Sequence, residues 1–379
     1  MTLLLRHISR HCSLIGIILG SVLFLYAQPY DILDIDLQDA ALSNDILIVL
    51  SEDGEIYTTP EGTEDFTLRR EPPEGNSEFF FDLSVDGTTA VATGSDGLIV
   101  RSPDNGINWA MASSPAIFGD LLSAESGATT GPTQTWVAVG NDGGNGVVFS
   151  STDNGLTWVE TANLTEATLS GVTWTGSRWL ACGASFFQEG VVYQSTDRVN
   201  WTPITLPENT EPLLHLANDG GGTIVAVGES GAIVRSTDGG DTFAQVGAGE
   251  TSGDLTSISW DGSQFLIGGD ERLVMTLNGT TLEKQLEEGP GAPPVKSLVS
   301  GDTSIFIAGS FEPDSGFSHL PLNLQIEPGS GSALSLTLAV SDPKRVYYLE
   351  QSTDLQNWSR VPDSQRTGDG GALTWEVSS

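Results

Sequence analysis

The stretch Ser151-Thr152-Asp153-Asn154-Gly155-Leu156-Thr157-Trp158 decides the fold, because it recurs along the chain at a near-constant interval. Its other copies are Ser102–Trp109, Ser236–Phe243 and Ser195–Trp201, which is one residue shorter. An Asp side chain accepts hydrogen bonds from turn N–H groups, Gly supplies positive φ, and an aromatic ring can bury itself between sheets. We therefore expect structural turns, built on the Asp and aromatic residues Asp104, Trp109, Asp153, Trp158, Asp197, Trp201, Asp238 and Phe243.

A second repeat consists of short apolar runs that end in a small residue. The seven runs end at Ser51, Gly94, Gly140, Gly183, Gly228, Gly268 and Gly309. Their average spacing of about 43 residues is the length of a four-stranded propeller blade. No stretch has a convincing helical period. The sequence therefore predicts an all-β chain whose main domain is a seven-bladed β-propeller.

The pattern Ser-x-Asp-x-Gly-x-x-Trp resembles the Asp-box, or BNR, repeat of sialidases, sortilin-type receptors, xyloglucan-degrading enzymes and photosystem II assembly-factor-like propellers. In those folds the turn lies on the rim opposite the ligand face. The resemblance therefore implies that the four Asp-box aspartates are structural. In the first, sixth and seventh units Glu61, Asn278 and Asn323 replace the Asp, which suggests that the box stabilises blades and does no chemistry.

The two ends of the chain are the least regular part of the pattern. The seventh unit stops after its third strand, so the segment Tyr30–Ile35 is expected to supply the missing outer strand, with closure by Leu322–Ile326 as the alternative. Beyond the propeller at 28–324, residues 325–379 predict a small β-sandwich-like module. Because Ser352–Trp358 repeats the shortened box, an eighth-blade remnant is the alternative interpretation.

Residues 1–27 have the features of an export signal. Arg6 and Arg10 precede the apolar run Leu14–Ala27, and Ala27 is a plausible cleavage position. The run is shorter than the roughly 20 residues that span a bilayer, so we expect cleavage and export to the periplasm or beyond the cell, with an uncleaved anchor as the alternative. Cleavage would leave Cys182 alone, without an internal disulfide and most simply explained as a buried apolar residue.

The charge of the chain limits its partners. It has 50 Asp and Glu against 15 Lys and Arg, a formal net charge of -35. Nucleic acid is excluded as a partner, because phosphate binding depends on clustered cations, and insertion into or binding to anionic membranes is not expected. Basic or neutral partners, namely proteins or glycans, remain. We expect a monomer with no cofactor and no metal site.

The loops that join second to third strands carry one acid per blade, on the face opposite the boxes. They are Asp53, Asp96, Asp142, Glu189, Glu229, Asp270 and Asp314. Phe186 and Phe187, in the long loop of the fourth unit, can stack on a sugar or a peptide. The alternative is that Asp-Gly pairs form hairpin turns and that the acidic surface only keeps the protein soluble.

Each enzymatic interpretation must find its own residues on this fold. A sialidase needs three arginines that converge on a carboxylate. Arg69, Arg70 and Arg272 map to the ligand face, but they lie on two adjacent blade junctions and no Arg-Ile-Pro motif precedes them. Ser-His-Asp catalysis lacks a nucleophile motif near His215 or His319. An inverting glycosidase needs two carboxylates roughly 6.5–9.5 Å apart, which peripheral loops on different blades do not bring together.

These observations lead to one main hypothesis and one alternative. The main hypothesis is an exported propeller that acts as a binding or assembly scaffold through its acidic loop face. The alternative is a carbohydrate-active enzyme, a glycoside hydrolase or a relic of one. A carboxylate pair in a deep central cleft would favour the enzyme, and a shallow acidic face with aromatic loops would favour binding.

Overall fold

The computed structural model describes residues 37–300 except 61–65, 75–77, 128–132, 248, 271–272, 280 and 287–293, and beyond this range it describes only the course of separate strands. The chain divides into two compact units. One comprises Leu33–Ser300 with Ile307–Ser315, and the other comprises Met1–Ile32, Gly301–Phe306 and Gly316–Ser379.

The larger unit contains six four-stranded antiparallel sheets, the blades. Their inner strands pack side by side around a central channel. From the inner to the outer strand, the blades are Leu37–Ser43, Ile46–Ser51, Ile56–Pro60 and Thr67–Arg70 (blade 1); Phe80–Asp86, Thr89–Gly94, Ile99–Ser102 and Ala110–Met111 (blade 2); Asp120–Ser126, Trp136–Asp142, Asn145–Ser151 and Val159–Leu164 (blade 3); Ala167–Trp174, Trp179–Ser185, Gly190–Ser195 and Thr202–Ile204 (blade 4); Leu213–Asn218, Ile224–Gly228, Ile233–Ser236 and Ala244–Gln245 (blade 5); Leu255–Trp260, Phe265–Gly269, Leu273–Asn278 and Thr281–Leu286 (blade 6).

The second strand of each blade is its most buried element. Every residue of Thr89–Gly94 and of Ile224–Gly228 is buried. Side chains on both faces of such a strand pack against neighbouring blades, as Val91 does against Trp158 and Leu180 against Phe243. A strand covered on both faces forms a continuous apolar run with no polar alternation, and this explains the second sequence repeat.

The small residue that ends each run has a packing cause. A Cβ on Gly140 would overlap the carbonyl oxygen of Asp120 and lie 2.8 Å from Leu121 Cα, and Gly183 has the same relation to Thr168 and Leu169. The inner strand therefore approaches the second strand too closely for a side chain. In blade 6 the first inner-strand residue, Leu255, pairs with Gly269. The apolar run of this unit is predicted to end one residue earlier, at Gly268.

The prediction of an all-β propeller is confirmed, but the prediction of seven blades is wrong, because six blades are present. The seventh repeat provides the strands Val295–Ser300, Ser304–Gly309 and Ser318–Pro321 and, among the described residues, no fourth strand of a blade. Each apolar run marks a second strand, but a second strand can form without the other three strands of a complete blade. The number of apolar runs therefore overestimated the number of blades. Strand Val295–Ser300 contacts the inner strands of blades 6 and 1 and closes the ring between them.

The two predicted closing segments differ in outcome. Tyr30–Ile35 lies outside the described residues. The alternative, Leu322–Ile326, is not supported, because Leu324–Pro328 pairs with Ala333–Leu338 in a separate three-stranded sheet that Leu373–Ser378 completes.

The smaller unit contains one further sheet. Its antiparallel strands are, in order, Leu23–Phe24, Cys12–Ile17, Thr2–His7, Val346–Ser352 and Ser359–Arg360, with Arg366–Thr367 also paired to Val346–Ser352. The signal peptide at 1–27 and the domain bounds 28–324 and 325–379 stay predictions.

Helical structure in the described residues consists of the 3-10 turns Ser95–Gly97 and Glu229–Gly231 and a 3-10 position at Asp270. A search of the described part of the chain for a helix with the length and apolar character to cross a membrane finds none.

Candidate functional site

Two sets of loops meet on one face of the propeller, which we call the turn face. It carries the turns between second and third strands and the connections that lead into the inner strands. Main-chain hydrogen bonds tie the two sets together: Ser95 N–H donates to Phe79 O (2.9 Å), Gly97 N–H to Gly119 O (2.9 Å), and Glu229 N–H to Pro212 O (2.9 Å). The turns therefore have a defined position on this face.

Six of the seven predicted loop acids lie on the turn face, one in each of blades 1 to 6. Asp53, Asp96 and Glu189 are exposed, and Asp142, Glu229 and Asp270 are half-buried. Asp270 also has a structural contact, because its Oδ2 accepts the Asp254 N–H (3.1 Å). The seventh acid, Asp314, lies outside the described residues.

Phe186 and Phe187 project from the turn face, with exposed fractions of 82 % and 81 %. Their rings meet edge to face, with centroids 5.7 Å apart. Ser185 orders the turn, because its N–H donates to Glu189 O (2.7 Å) and its hydroxyl accepts the N–H groups of Phe187 and Glu189 (both 3.2 Å). The two rings are thus exposed on an ordered turn.

Two further exposed phenylalanines were missed by the sequence analysis. Phe79 (51 % exposed) and Phe118 (98 %) lie in the connections that enter blades 2 and 3. The neighbours of Phe118 explain its exposure, because Ile117 before it is buried and Gly119 after it packs on the main chain of Asn141 and Asp142. Extended backbone with alternating burial turns the middle residue outward.

Cations at the turn face are held by partners within the protein. The Arg70 guanidinium pairs with Glu78 (2.5 Å), Arg69 Nε donates to Thr58 Oγ1 (2.6 Å), and Lys296 pairs with Glu52 and donates to Gln38 Oε1 (3.2 Å). Arg272, the third arginine that a sialidase would need, lies outside the described residues.

The Ser-x-Asp turns lie on the opposite face and share one hydrogen-bond pattern. In Ser151–Trp158, the Ser151 hydroxyl donates to Asp153 Oδ1 (2.7 Å) and accepts Gly155 N–H (3.0 Å), while Asp153 accepts Thr157 N–H (2.9 Å). The copies at Asp104 and Asp238 repeat these bonds, and at Asp197 the shorter turn places Arg198 N–H on the Ser hydroxyl.

The carboxylates of these turns are stabilised in their charged form by local donors. The main-chain and side-chain amides of Asn200 hold the pKa of Asp197 below its usual range, and the Thr242 hydroxyl and N–H do the same for Asp238. The hydrogen bonds that these carboxylates accept all come from residues of the same turn, which is consistent with a structural assignment of Asp104, Asp153, Asp197 and Asp238.

The aromatic residue that ends each turn packs inward to a different extent. Trp158 is only 3 % exposed, packs with Val91 and Ile99 of blade 2, and donates its indole N–H to Gly155 O (2.9 Å). Phe243 is buried, and Trp109 and Trp201 are half-buried. Each turn therefore anchors its blade to its surroundings.

The central channel contains acids that the sequence analysis did not select. A cavity of about 490 Å³ lies between the inner strands of all six blades and Val295–Ser300. Asp39, Asp82, Glu125 and His215 line it. The missed signal is a repeated spacing, in which a buried apolar residue is followed two positions later by a polar one, as in Leu37-x-Asp39, Phe80-x-Asp82, Leu121-x-Ser123, Leu213-x-His215 and Leu255-x-Ser257.

A β-bulge places these polar residues, because the pairing of inner and second strands shifts by one residue just before each of them. The carboxylate and hydroxyl side chains among them then accept N–H groups of the next inner strand. Asp39 Oδ2 accepts Leu83 N–H (2.6 Å), Asp82 Oδ2 accepts Ala124 N–H (2.9 Å), and Ser257 Oγ accepts Leu298 N–H (3.1 Å). Acid and serine make the same bond, so this bond serves ring assembly.

Burial perturbs the ionisation of the channel groups. It raises the pKa of Asp39 to about 6 and that of Glu125 to about 7, and it lowers the pKa of His215 to about 4. The pKa of Asp82 is raised well above its ordinary value by burial and then by the charge of Asp39. Burial also raises the pKa of the Cys182 thiol to about 12. Among the described residues, no group of His, Cys, Asp and Glu side chains is arranged to hold a metal ion.

We expect Glu125→Gln to stabilise the protein at pH 8 and to have little effect at pH 4. The pKa of Glu125 is higher in the folded than in the unfolded chain, so its contribution to stability is present below pH 4.5 and lost as the pH rises through about 7. The difference should be on the order of 1–2 kcal/mol, because Glu125 is only half-buried and solvent screens its charge.

The measurement is urea unfolding of wild type and variant between pH 4 and 8. His215 cancels in the comparison, since both chains keep it. The control is Glu160→Gln, at an exposed acid on the outer strand of blade 3. A constant difference across this pH range would show that Glu125 titrates normally.

No family model matches the sequence, and no curated protein matches it. Solved structures do match. The structure of YCF48 bound to D1 peptide has a TM-score of 0.60 at 13 % identity and covers 78 % of this chain and 94 % of its own. YCF48 from Cyanidioschyzon merolae has a TM-score of 0.58 at 15 % identity, covering 76 % and 96 %. The WD40 β-propeller domain of Doa1 has a TM-score of 0.55 at 13 % identity, covering 76 % and 92 %. At these identities the likeness shows the fold, a β-propeller.

Proposed function

We propose that this protein is a binding or assembly scaffold whose partners dock on the turn face. The observation that carries the proposal is the charge arrangement there: Asp53, Asp96 and Glu189 are exposed, while Arg70 and Lys296 are paired within the protein. An excess of exposed charge of one sign raises the local potential and attracts partners of the opposite sign. The similarity to YCF48 bound to D1 peptide supports a binding role for this fold.

Several finer points belong to the same proposal. The Ser-x-Asp turns are assigned to the Asp-box type, on the shared hydrogen bonds around Asp104, Asp153 and Asp238. The proposal also includes cleavage after Ala27 with export of the mature chain, and a monomeric state of that chain. Amino-terminal sequencing of the exported chain tests the first of these two, since the mature protein would begin at Gln28.

Neutralising the exposed acids of the turn face should weaken partner binding at least tenfold at low salt and flatten its salt dependence. The variant is Asp53→Asn, Asp96→Asn and Glu189→Gln. Asn tolerates the left-handed backbone of Asp96 (φ 53°). The control removes three exposed acids elsewhere, by Asp45→Asn, Glu160→Gln and Glu283→Gln. Partners are captured from cells that produce the protein, identified, purified and titrated against all three chains.

Equal affinity of the three chains for every purified partner would contradict the proposal. The acidic turn face would then serve solubility alone, which is the simpler interpretation of a highly charged surface.

A second candidate, a glycoside hydrolase, is favoured by the raised pKa values of the channel acids, because such enzymes keep one acid protonated as the proton donor. Against it, Asp39 and Asp82 make the interstrand bond that Ser257 makes in blade 6. If the protein hydrolyses soluble polysaccharides, and if Glu125→Gln abolishes this hydrolysis without lowering stability, the enzyme would replace the scaffold as the proposed function.

A further inference from the structure

We infer that blades 2 to 4 of the turn face bind a protein segment that carries arginine or lysine beside aliphatic side chains. The inference rests on the proposed scaffold function and names the chemistry of its partner. The surface consists of four exposed phenylalanines, which we call the aromatic patch: Phe79, Phe118, Phe186 and Phe187.

The aromatic patch is specific to one face. The four most exposed phenylalanines of the described residues all lie on the turn face, whereas the Ser-x-Asp turns on the other face expose the aliphatic side chains Ile107, Leu156 and Val199. Exposed aromatic rings are costly to hydrate and are enriched where proteins bind proteins. Their restriction to one face therefore points to a partner there.

Each part of the aromatic patch has a carboxylate beside it. Glu189 lies two residues after Phe187 in the same turn. Asp96 follows Ser95, whose N–H donates to the Phe79 carbonyl oxygen. Asp142 follows Asn141, and the residue after Phe118, Gly119, packs on the main chain of Asn141. A surface of ring faces with adjacent carboxylates is complementary to a cation on an apolar stem, which is what arginine and lysine present.

The cations of blades 2 to 4 do not neutralise this surface. Residues 80–204 contain three cationic side chains, Arg101, Arg178 and Arg198. Arg101 donates to Asn154 O (2.5 Å), Arg178 pairs with Asp241 (2.5 Å), and Arg198 lies within a Ser-x-Asp turn, so all three lie at the opposite face. The negative charge around the aromatic patch is thus left for a partner.

The protein already holds one arginine in this way. The Arg70 guanidinium pairs with Glu78 (2.5 Å) and lies 5.5 Å from the centroid of the Phe80 ring. One carboxylate and one phenylalanine therefore flank a guanidinium at this edge of the propeller. Phe187 with Glu189 offers the same two groups to an arginine of a partner.

The test uses fluorescent peptides of defined composition and two matched variants. The probe is a short peptide of arginine, leucine and glycine, and its counterparts replace arginine by glutamate or leucine by glycine. Phe118→Ala combined with Phe187→Ala should weaken binding of the arginine–leucine peptide about tenfold or more. Ile107→Ala combined with Leu156→Ala, which removes exposed apolar surface from the other face, should leave the affinity unchanged.

The outcomes separate this inference from the scaffold proposal. Unchanged affinity in the phenylalanine variant at an unchanged melting curve would overturn the inference, as would equal binding of the glutamate peptide or preferential binding of a neutral oligosaccharide. In those cases a loss of purified-partner binding in the acid-neutralised variant would still support the scaffold. Failure of that variant to affect any partner would remove the scaffold proposal itself.

Discussion

Replacing Trp158 by alanine is expected to lower the free energy of unfolding by about 3–5 kcal/mol, the usual cost of truncating a buried aromatic residue. The indole is 3 % exposed and packs with Val91, Ile99 and Trp136, so its loss leaves a cavity between blades 2 and 3. The Gly155 carbonyl also loses the indole N–H as a donor. Calorimetric or circular-dichroism melting measures the effect without relying on tryptophan fluorescence.

The control for Trp158 lies in the same turn. Leu156 is 54 % exposed, and Leu156→Ala should change stability by less than about 0.5 kcal/mol. Trp201→Ala, at a half-buried ring, should fall between the two. Loss of partner binding by Trp158→Ala at full stability would reverse the assignment of the two faces.

Gly140→Ala should destabilise the protein by roughly 3 kcal/mol or more, because an added methyl group meets main chain that cannot rotate away. A Cβ there would overlap Asp120 O and lie 2.8 Å from Leu121 Cα, and the inner strand would have to move into the channel. Gly183→Ala should have a similar effect in blade 4, since Thr168 O occupies the same place.

The matched control is Gly221→Ala, at a turn where a Cβ would meet nothing closer than 3.4 Å. Soluble yield and melting temperature of the three variants are compared with wild type. A Gly140→Ala protein that melts with the wild type would show that the bulge at the start of the inner strand relaxes at little cost, and the packing explanation of the repeat would fail.

Prediction from the sequence succeeded best where short-range chemistry repeats. The apolar runs that end at Ser51, Gly94, Gly140 and Gly228 fall within the observed second strands Ile46–Ser51, Thr89–Gly94, Trp136–Asp142 and Ile224–Gly228. Continuous apolar runs and Gly or Asp turns are local signals, so they locate strands without knowledge of neighbours. The number of blades depends on how strands far apart in the chain pack together, and the predicted number was wrong.

The candidate site was predictable only in part. The acidic turns and Phe186–Phe187 could be chosen, because hairpin positions follow from strand order. Phe118 was missed because its outward direction depends on contacts of Ile117 and Gly119 that only the fold creates. The channel acids were missed although the spacing of polar residues on the inner strands repeats, since period-2 alternation does not tell which side of an inner strand faces the axis once a bulge shifts the register. Asp39 and Asp82 approach each other closely enough to raise the pKa of Asp82 only because inner strands from successive blades lie side by side.

The sequence by itself determined the all-β class, the blade-length period and the Ser-x-Asp turns, because each depends on hydrogen bonds and burial within about 45 residues of chain. Only the tertiary structure decided that the ring has six blades closed by Val295–Ser300, that the four exposed phenylalanines share one face, and that the acids of neighbouring inner strands meet in a channel. These features join residues far apart in the chain, and their energies depend on which strands become neighbours.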